Sequence, residues 1–296
     1  MAVFATGLGA PETPRLHPKG GWLCVEMAPP RAGITRVLSD GTSHSLAAAG
    51  CPNGLCVGAD GAIWVAETVP PALLHLNSDG ALETVLTKGD AGDFLLPNDL
   101  CFSDSGLLYM TDSGMTMQNW VVDGAPRPDW QTADFDGKLW EIDLGQRQAR
   151  VIDRGIRFTN GIAFGPDGGL YVNEMITGDI FRYDVENGRV AGGRSLFANV
   201  LSPNWAGGFR GPDGMGFSAD GRLWCAIYGE GVVAVVSPQG KVVERLKTEG
   251  SAPTNVAFGP EGEARLYVTE HALGQIEVFD VDASAFPLFD GRPPVA

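Results

Sequence analysis

The chain has 296 residues, of which 44% are hydrophobic and 19% charged, with 41 glycines and 20 prolines. This composition is typical of a soluble globular protein with many turns and argues against a disordered or membrane-spanning chain. The net charge of −15 would repel phosphate backbones and anionic lipid, so we expect neither nucleic acid nor membranes as partners.

The five cysteines are an odd number, and no two are spaced as CxxC. Three lie in apolar, strand-like runs, where a reduced thiol acts as a small hydrophobic group. The segment MAVFATGLGAPETP lacks the basic and apolar regions of a signal peptide, and no run of 18 apolar residues predicts a membrane helix. We therefore expect a cytoplasmic protein with reduced cysteines.

One sequence pattern recurs six times: a polar residue, alternating apolar residues, a glycine turn, and then Trp or Tyr in most copies. In chain order the copies begin at Pro11, Pro52, Pro97, Thr159, Pro212 and Thr254. Alternating apolar runs on both sides of a turn predict a β-hairpin in each copy. Two more short apolar runs follow most copies, so four strands per repeat and six repeats predict an all-β, six-bladed β-propeller.

The two ends of the chain favour closure of this ring. The last repeat offers only a third strand, from Gly274, whereas the run AVFATGL precedes the first hairpin. That N-terminal run is predicted to supply the missing strand, which leaves no sheet edge open. We therefore expect one propeller domain over residues 1–296. Two β-sandwiches are the alternative, but they would not explain the regular spacing.

The second residue of each copy is called position n here. These residues are Glu12, Asn53, Asn98, Asn160, Asp213 and Asn255. Hairpin geometry predicts that residue n lies opposite residue n+14, so that the n residues form a ring at one mouth of the central channel. Five carboxylates are then expected behind this ring: Glu26, Glu67, Asp112, Glu174 and Glu270.

So many acidic groups in a channel call for compensation. Carboxylate and amide oxygens are preferred ligands of hard divalent cations, so we expect one cation, with Ca²⁺ the best fit and Zn²⁺, Mg²⁺ or Mn²⁺ as alternatives. A purely structural ring of polar side chains is the other interpretation. His271 follows the carboxylate of the last repeat and is expected at the rim of the same mouth.

Two long connections are predicted to lie over this mouth. The first, after Asp112, carries two methionines together with Trp120 and Trp130, and the second carries Trp205 and Arg210 just before Asp213. Long loops in compact folds are often functional. Substrate contact and packing of one loop on the other are both open interpretations.

Four segments carry a resemblance to a known family: LPNDL around Asn98, FTNGIAFGPDG around Asn160, GPDGMGFSADG around Asp213, and LYVTE ending at Glu270. They resemble the SMP-30/gluconolactonase/luciferin-regenerating enzyme family of six-bladed propellers, which is related to Drp35-type lactonases and diisopropylfluorophosphatases. The resemblance implies a metal held by Glu12, Asn160 and Asp213, with Asn98 bound to the metal or to substrate. It also implies that Asp112 is the catalytic acid and base.

Two departures from the family pattern bear on the site. The first repeat keeps Glu12 but lacks the family's Trp, and Leu96 stands where sugar-lactone members carry an Arg. We therefore expect a metal-dependent lactonase whose substrate is less polar than an aldonolactone. The expected substrate-binding residues are Leu96, Asn98, Trp120, Trp205, Arg210 and His271.

The sequence leaves two other functions open. An organophosphate triesterase would use the same site, and a non-catalytic interaction scaffold would use the metal only for structure. The converging carboxylates favour an enzyme, because a scaffold does not need them. The expected partner is a small-molecule lactone, and the expected state is a monomer or small homo-oligomer.

Overall fold

The computed structural model describes residues 1–77, 79–205 and 207–292. The first third of the chain forms β1 (Ala2–Ala5), β2 (Pro11–Leu16), β3 (Trp22–Glu26), β4 (Gly33–Val37), β5 (Ser43–Ala48), β6 (Pro52–Val57), β7 (Ile63–Thr68), β8 (Pro71–Leu76), β9 (Leu82–Leu86), β10 (Lys88–Gly89) and β11 (Gly92–Asp93). The middle forms β12 (Pro97–Phe102), β13 (Leu108–Asp112), α1 (Met117–Trp120), β14 (Val121–Val122), β15 (Ala125–Pro126), β16 (Gly137–Asp143), β17 (Gln148–Ile156), β18 (Thr159–Phe164), β19 (Leu170–Glu174), β20 (Asp179–Glu186) and β21 (Arg189–Asn199). The last part forms β22 (Gly211–Phe217), β23 (Leu223–Tyr228), β24 (Val232–Val236), β25 (Val242–Lys247), β26 (Pro253–Phe258), β27 (Arg265–Glu270) and β28 (Gln275–Asp280).

These strands build six four-stranded antiparallel sheets, which are the blades of a propeller. Blades 1 to 5 are β2–β5, β6–β9, β12–β13–β16–β17, β18–β21 and β22–β25. Blade 6 is completed by the N-terminal strand, since β1 pairs with β28 and places Ala2 opposite Val278. The six-bladed all-β fold and its closure by the N-terminus are thus confirmed. No helix in the described residues is long and apolar enough to cross a membrane.

The first strand of each blade lies innermost. Strands β2, β6, β12, β18, β22 and β26 contact their neighbours in that order, and β26 returns to β2. Alternate residues of these strands pack between blades; Leu55 of blade 2, for example, is fully buried against Leu23 and Val25 of blade 1. Burying each such side chain stabilises the fold by about 1.5–3 kcal/mol. The polar residues that remain on the inner strands are therefore held in fixed places.

Every inner hairpin contains the same irregularity, which changes the expected pairing. In blade 3, Leu100 lies opposite Met110, but Pro97 lies opposite Asp112, so the register shifts by one residue between these two pairs. The other five inner pairs shift at the corresponding place. Such a β-bulge inserts one residue in the inner strand. Residue n+14 thus lies opposite n−1, and the prediction that it lies opposite n is wrong by one residue.

The carboxylates at n+14 bind the backbone at the entrance of their inner strands. Glu67 accepts backbone N–H bonds from Gly50, Cys51 and Val69 at 3.0, 2.6 and 2.9 Å. The corresponding carboxylates of blades 1, 3, 4 and 6 also accept N–H bonds from the chain that enters their inner strand. Charged acceptors make strong hydrogen bonds, so these groups fix the inner strands.

In blade 6 the residue at position n differs from the predicted one. Pro253 lies opposite Glu270 and Asn255 opposite Thr269, as Pro52 lies opposite Glu67 and Gly54 opposite Ala66 in blade 2. Thr254, rather than Asn255, therefore occupies position n of blade 6, and Asn255 occupies n+1. The turn of this hairpin is longer than that of blade 2. Counting back from Glu270 with a single inserted residue therefore placed position n one residue too late in the chain.

Candidate functional site

The four predicted ligands stand at one mouth of the channel, each near the start of an inner strand. Glu12, Asn98, Asn160 and Asp213 are all at most 6% exposed. Burial raises the pKa of Glu12 well above its usual range, and the charges of Asp213 and Asp99 raise it further. Burial and the charge of Asp99 likewise raise the pKa of Asp213. The structure therefore brings these acidic groups close enough to repel one another.

A divalent cation fits this arrangement. Within residues 1–77, 79–205 and 207–292, neither Glu12 nor Asp213 forms an ion pair with Lys, Arg or His. The Asn98 amide nitrogen donates to the Ser113 hydroxyl at 3.2 Å, while the buried Oδ1 of Asn98 has no hydrogen-bond partner among the described residues. Two uncompensated carboxylates beside an unpartnered amide oxygen form the type of oxygen donor set that Ca²⁺ prefers.

Asn160 completes the group on the side of blade 4. Its amide nitrogen lies 3.4 Å from the sulfur of Met175, and its hydrogen bond to Asp213 opposes the rise that burial causes in the pKa of that carboxyl. Asn160 and Asp213 are thus neighbours on adjacent inner strands. His, Cys, Asp and Glu by themselves form no three-residue metal cluster in the described part of the chain. A cation here would need the asparagine oxygens as well as the two carboxylates.

A second layer of polar groups lies one residue deeper, at position n+1. Asn255 donates from its amide nitrogen to the Thr13 hydroxyl at 3.2 Å and to Asp99 at 3.4 Å. Blades 3 and 6 face each other across the ring, so this contact spans the channel. Glycines at n+1 of the other three blades leave the space for it. They are Gly54, Gly161 and Gly214.

Asp99 is the site residue that the sequence analysis missed. It is 2% exposed, and its pKa is raised by burial, although the Arg15 guanidinium opposes this shift. The nearest Asp99 and Arg15 atoms are 3.9 Å apart. A signal was available in the repeat, because PNDL of blade 3 has Asp where PNGL, TNGI and PDGM have Gly.

Asp112 is placed differently from the metal ligands. It is fully buried, and its carboxylate accepts N–H bonds from Leu95 at 2.8 Å, Leu96 at 3.0 Å and Gly114 at 2.9 Å. Burial raises its pKa, and the three N–H bonds act in the opposite direction. The carboxylate therefore holds the segment that leads into Asn98, and its expected role as the base stays a prediction.

An apolar roof covers the mouth on the side of blades 3, 4 and 5. Its residues are Leu96, Met115, Met117, Trp120, Val121, Trp130, Ala133, Phe135, Phe158, Met175, Ile176, Phe209 and Tyr228. Trp120 is its centre, with ring centroids 4.7 Å from Phe158 and 5.0 Å from Phe209. The contact between Met175 and Asn160 shows that the roof adjoins the candidate ligands. Both long connections thus meet here through their aromatic residues.

The second connection is anchored by charge. Arg210 donates to the backbone oxygen of Ser202 at 2.9 Å and pairs with the buried Glu230, and its guanidinium lies 5.6 Å from the Trp205 ring centroid. Trp205 itself is 39% exposed. These contacts give Arg210 and Trp205 a part in loop structure, and their predicted contact with substrate stays a prediction.

His271 reaches the mouth beside a residue that the sequence analysis did not single out. Its ring lies 6.2 Å from that of Tyr228, edge to face. Burial raises the pKa of Tyr228, and the charges of Asp213 and Glu12 raise it further. The phenol therefore lies near the candidate ligands. Burial lowers the pKa of His271, which favours a neutral imidazole. Each residue directly follows the one that lies opposite n−1 in its blade, Ile227 in blade 5 and Glu270 in blade 6.

Comparison with known proteins agrees with this architecture. Residues 11–272 match the family model described as the SMP-30/gluconolactonase/LRE-like region. A gluconolactonase of Zymomonas mobilis is 27% identical over 230 residues, which cover 76% of this chain and 62% of that protein. The chain thus spans only part of the length of the curated relatives that it matches.

Two solved structures share the fold over nearly the whole chain. A calcium-binding protein, regucalcin, from Agrobacterium tumefaciens has a TM-score of 0.77 at 18% identity and covers 98% of this chain and 97% of its own. A gluconolactonase from Xanthomonas campestris has a TM-score of 0.76 at 21% identity, with coverages of 93% and 87%. At these identities the likeness establishes the fold.

Proposed function

The chain belongs to the SMP-30/gluconolactonase/LRE-like family, and from this premise we propose that it is a divalent-metal-dependent lactonase. The observation that carries the proposal is the buried set of Glu12, Asp213 and the unpartnered Asn98 oxygen at one channel mouth. The gluconolactonase relatives support the reaction class, and the calcium-binding neighbour supports Ca²⁺ as the metal.

Glu12, Asn98, Asn160 and Asp213 would hold the cation. When bound, it would polarise the ester carbonyl of the lactone and favour ionisation of the attacking water. The residues of the chain do the remaining work. Ser113 fixes the orientation of the Asn98 amide, and the roof excludes bulk water from the mouth on the side of blades 3 to 5. Ring opening needs a group that takes a proton from water and returns one to the alkoxide.

Two carboxylates are candidates for this proton transfer. The family resemblance indicates Asp112, whose oxygens are already bonded to three backbone N–H groups. Asp99 lies deeper in the channel, close enough to Glu12 and Asp213 to raise their pKa values. Burial raises the pKa of Asp99 and of Asp112 alike, so what distinguishes Asp99 is its location beside the candidate ligands. We favour Asp99 as the base and assign to Asp112 the positioning of the Leu95–Leu96 segment.

The test is a hydrolysis screen on purified protein. The panel contains sugar, aliphatic and aromatic lactones, each with Ca²⁺, Zn²⁺, Mg²⁺ and Mn²⁺ after treatment with chelator. Metal-dependent ring opening supports the proposal, and a phosphotriester in the same panel measures the competing activity. Absence of hydrolysis with every metal, in protein that still binds Ca²⁺, would instead favour a scaffold with a structural ion.

Metal binding should also stabilise the fold. The cation would bind the folded state, where it offsets the repulsion among Glu12, Asp99 and Asp213. At a free concentration 100 times its Kd, it would add about 2.7 kcal/mol to the free energy of unfolding. We expect Tm to rise by about 4–5 °C when Ca²⁺ is added to chelator-treated protein, measured by scanning calorimetry. An unchanged Tm with all four cations would contradict a metal site at this mouth.

The roof predicts a substrate that is less polar than gluconolactone. A buried hydroxyl without a partner costs free energy in such a pocket, whereas each buried CH₂ contributes about 0.8 kcal/mol. We expect higher kcat/KM for alkyl-substituted butyro- and valerolactones than for gluconolactone. Clear preference for gluconolactone would show that Leu96 and the roof do not select the substrate.

Trp120 should carry part of this preference. Trp120→Ala removes the centre of the roof and is expected to lower kcat/KM for alkyl lactones by about tenfold, the equivalent of two buried CH₂ groups. The value for gluconolactone should change less. Trp64→Ala is the control, because Trp64 stacks on His75 within blade 2. Equal losses in the two variants would indicate general destabilisation and no contact with substrate.

A further inference from the structure

The mouth opposite the candidate metal site is crossed by the C-terminal segment, residues 284–290. Ala219 donates to the Ser284 oxygen at 2.9 Å and Phe286 donates to the Phe217 oxygen at 3.0 Å, which fixes the segment to blade 5. Ala59 donates to the Asp290 oxygen at 2.8 Å, which fixes the other end to blade 2. Blades 2 and 5 lie on opposite sides of a six-bladed ring, so this segment forms a strap across the mouth.

A cavity of about 590 Å³ lies between the strap and the inner strands. Its walls are mainly apolar and include six phenylalanines: Phe102, Phe164, Phe217 and Phe258 come from four inner strands, and Phe286 and Phe289 come from the strap. Binding sites for small molecules typically have volumes of about 300–1,000 Å³ and predominantly apolar walls. The cavity therefore has the size and surface of a ligand site.

The inner end of the cavity is formed by position n+3 of every blade. Five of the six residues there are small, and the sixth is Arg15. The small ones are Cys56, Cys101, Ala163, Gly216 and Ala257. Small side chains at one repeated position leave the axis open, so that a single guanidinium faces the cavity. Among the described lining residues Arg15 alone is basic.

The charged groups around Arg15 leave it able to bind an anion. Its Nη1 donates to the Pro14 oxygen at 2.9 Å, and its Nη2 forms an ion pair with Asp99 at 3.9 Å on the metal side, a separation too long for a hydrogen bond. The acidic lining residues are Glu261, which is exposed, and Asp290, which is bonded to Arg292. Both acidic groups are therefore at the outer side, where solvent screens them.

We propose that this cavity is a second binding site, which takes a small apolar monocarboxylate with its carboxylate on Arg15 and its hydrocarbon among the phenylalanines. A guanidinium matches a carboxylate in charge and geometry, and the aromatic walls match an apolar chain. This site lies at the other end of the channel from the proposed lactone site. The proposal does not rest on lactonase activity.

Isothermal titration with decanoate and decanol tests both halves of the proposal. Decanoate should bind the native protein with one saturable site, and decanol should bind about 10- to 100-fold more weakly, since it lacks the charge-assisted bond. Arg15→Gln should weaken decanoate by the same factor and leave decanol unchanged. Ala257→Phe fills the inner end and should abolish binding of both.

Trp120→Ala is the control at the opposite mouth, and it should leave the decanoate affinity unchanged. Loss of binding in Trp120→Ala with retention in Ala257→Phe would assign the ligand to the other mouth and overturn the proposal. So would equal affinities for decanoate and decanol, or no saturable heat with decanoate at millimolar concentration. If Arg15→Gln does not fold, two comparisons still test the proposal. They are the affinities of decanoate and decanol for the native protein, and the binding of both ligands to Ala257→Phe.

Discussion

Replacement of Asp213 by alanine is expected to abolish lactone hydrolysis, with a loss of at least about 100-fold in kcat/KM. Asp213 is one of only two carboxylates among the proposed ligands, and changes in groups that merely support a ligand already reduce affinity or activity about 10- to 100-fold. Steady-state kinetics at saturating Ca²⁺, together with calcium binding by titration, measures the effect. Both readouts should fall together.

The fold of this variant should survive. In metal-free protein Asp213 is repelled by Asp99 and lies buried, so its removal relieves unfavourable interactions. The Tm without metal should be equal or higher, and the rise on adding Ca²⁺ should disappear. Asn53→Ala is the matched control at position n of blade 2, outside the ligand set. Full activity in Asp213→Ala, or equal losses in the two variants, would contradict the proposed site.

Asp99→Asn is expected to lower kcat by about 100-fold or more, the usual effect of removing a general base. Calcium binding should persist, because Asp99 is outside the proposed ligand set. Asp112→Asn should instead lower Tm, since an amide cannot accept all three N–H bonds of the native carboxylate. Its kcat, measured on folded protein, should stay within a few-fold of the parent.

Glu67→Gln is the control for Asp112→Asn. Glu67 occupies the same repeat position in blade 2 and also accepts three backbone N–H bonds. Because the two carboxylates have the same structural role, both variants should show a similar decrease in Tm and little change in kcat. If Asp112→Asn alone lost 100-fold in kcat while Asp99→Asn stayed active, Asp112 would be the base, as the family resemblance indicates.

The sequence by itself determined the number of blades, the closing strand and the position of the candidate ligands. These features are repeated, and repetition makes local patterns reliable: a turn and alternating residues predict a hairpin wherever they occur. The repeat placed Glu12, Asn98, Asn160 and Asp213 at one position whose strand start faces the same mouth, and the family resemblance singled out these four as candidate ligands.

Only the tertiary structure decided which other residues reach the channel. A single bulge in each inner strand places n+14 opposite n−1, and Asp99 and Tyr228 lie close enough to the candidate ligands for their charges to interact. Sequence alternation does not reveal such a bulge, because one extra residue reverses the face of all that follows.

The long connections and the far mouth were equally beyond local patterns. The pairing of Arg210 with Glu230 joins residues 20 apart in sequence. The cavity depends on a strap that joins blades 5 and 2 with Arg15 of blade 1 at its inner end. These arrangements depend on which distant surfaces meet when the ring closes, and that is fixed by the packing of all six blades together.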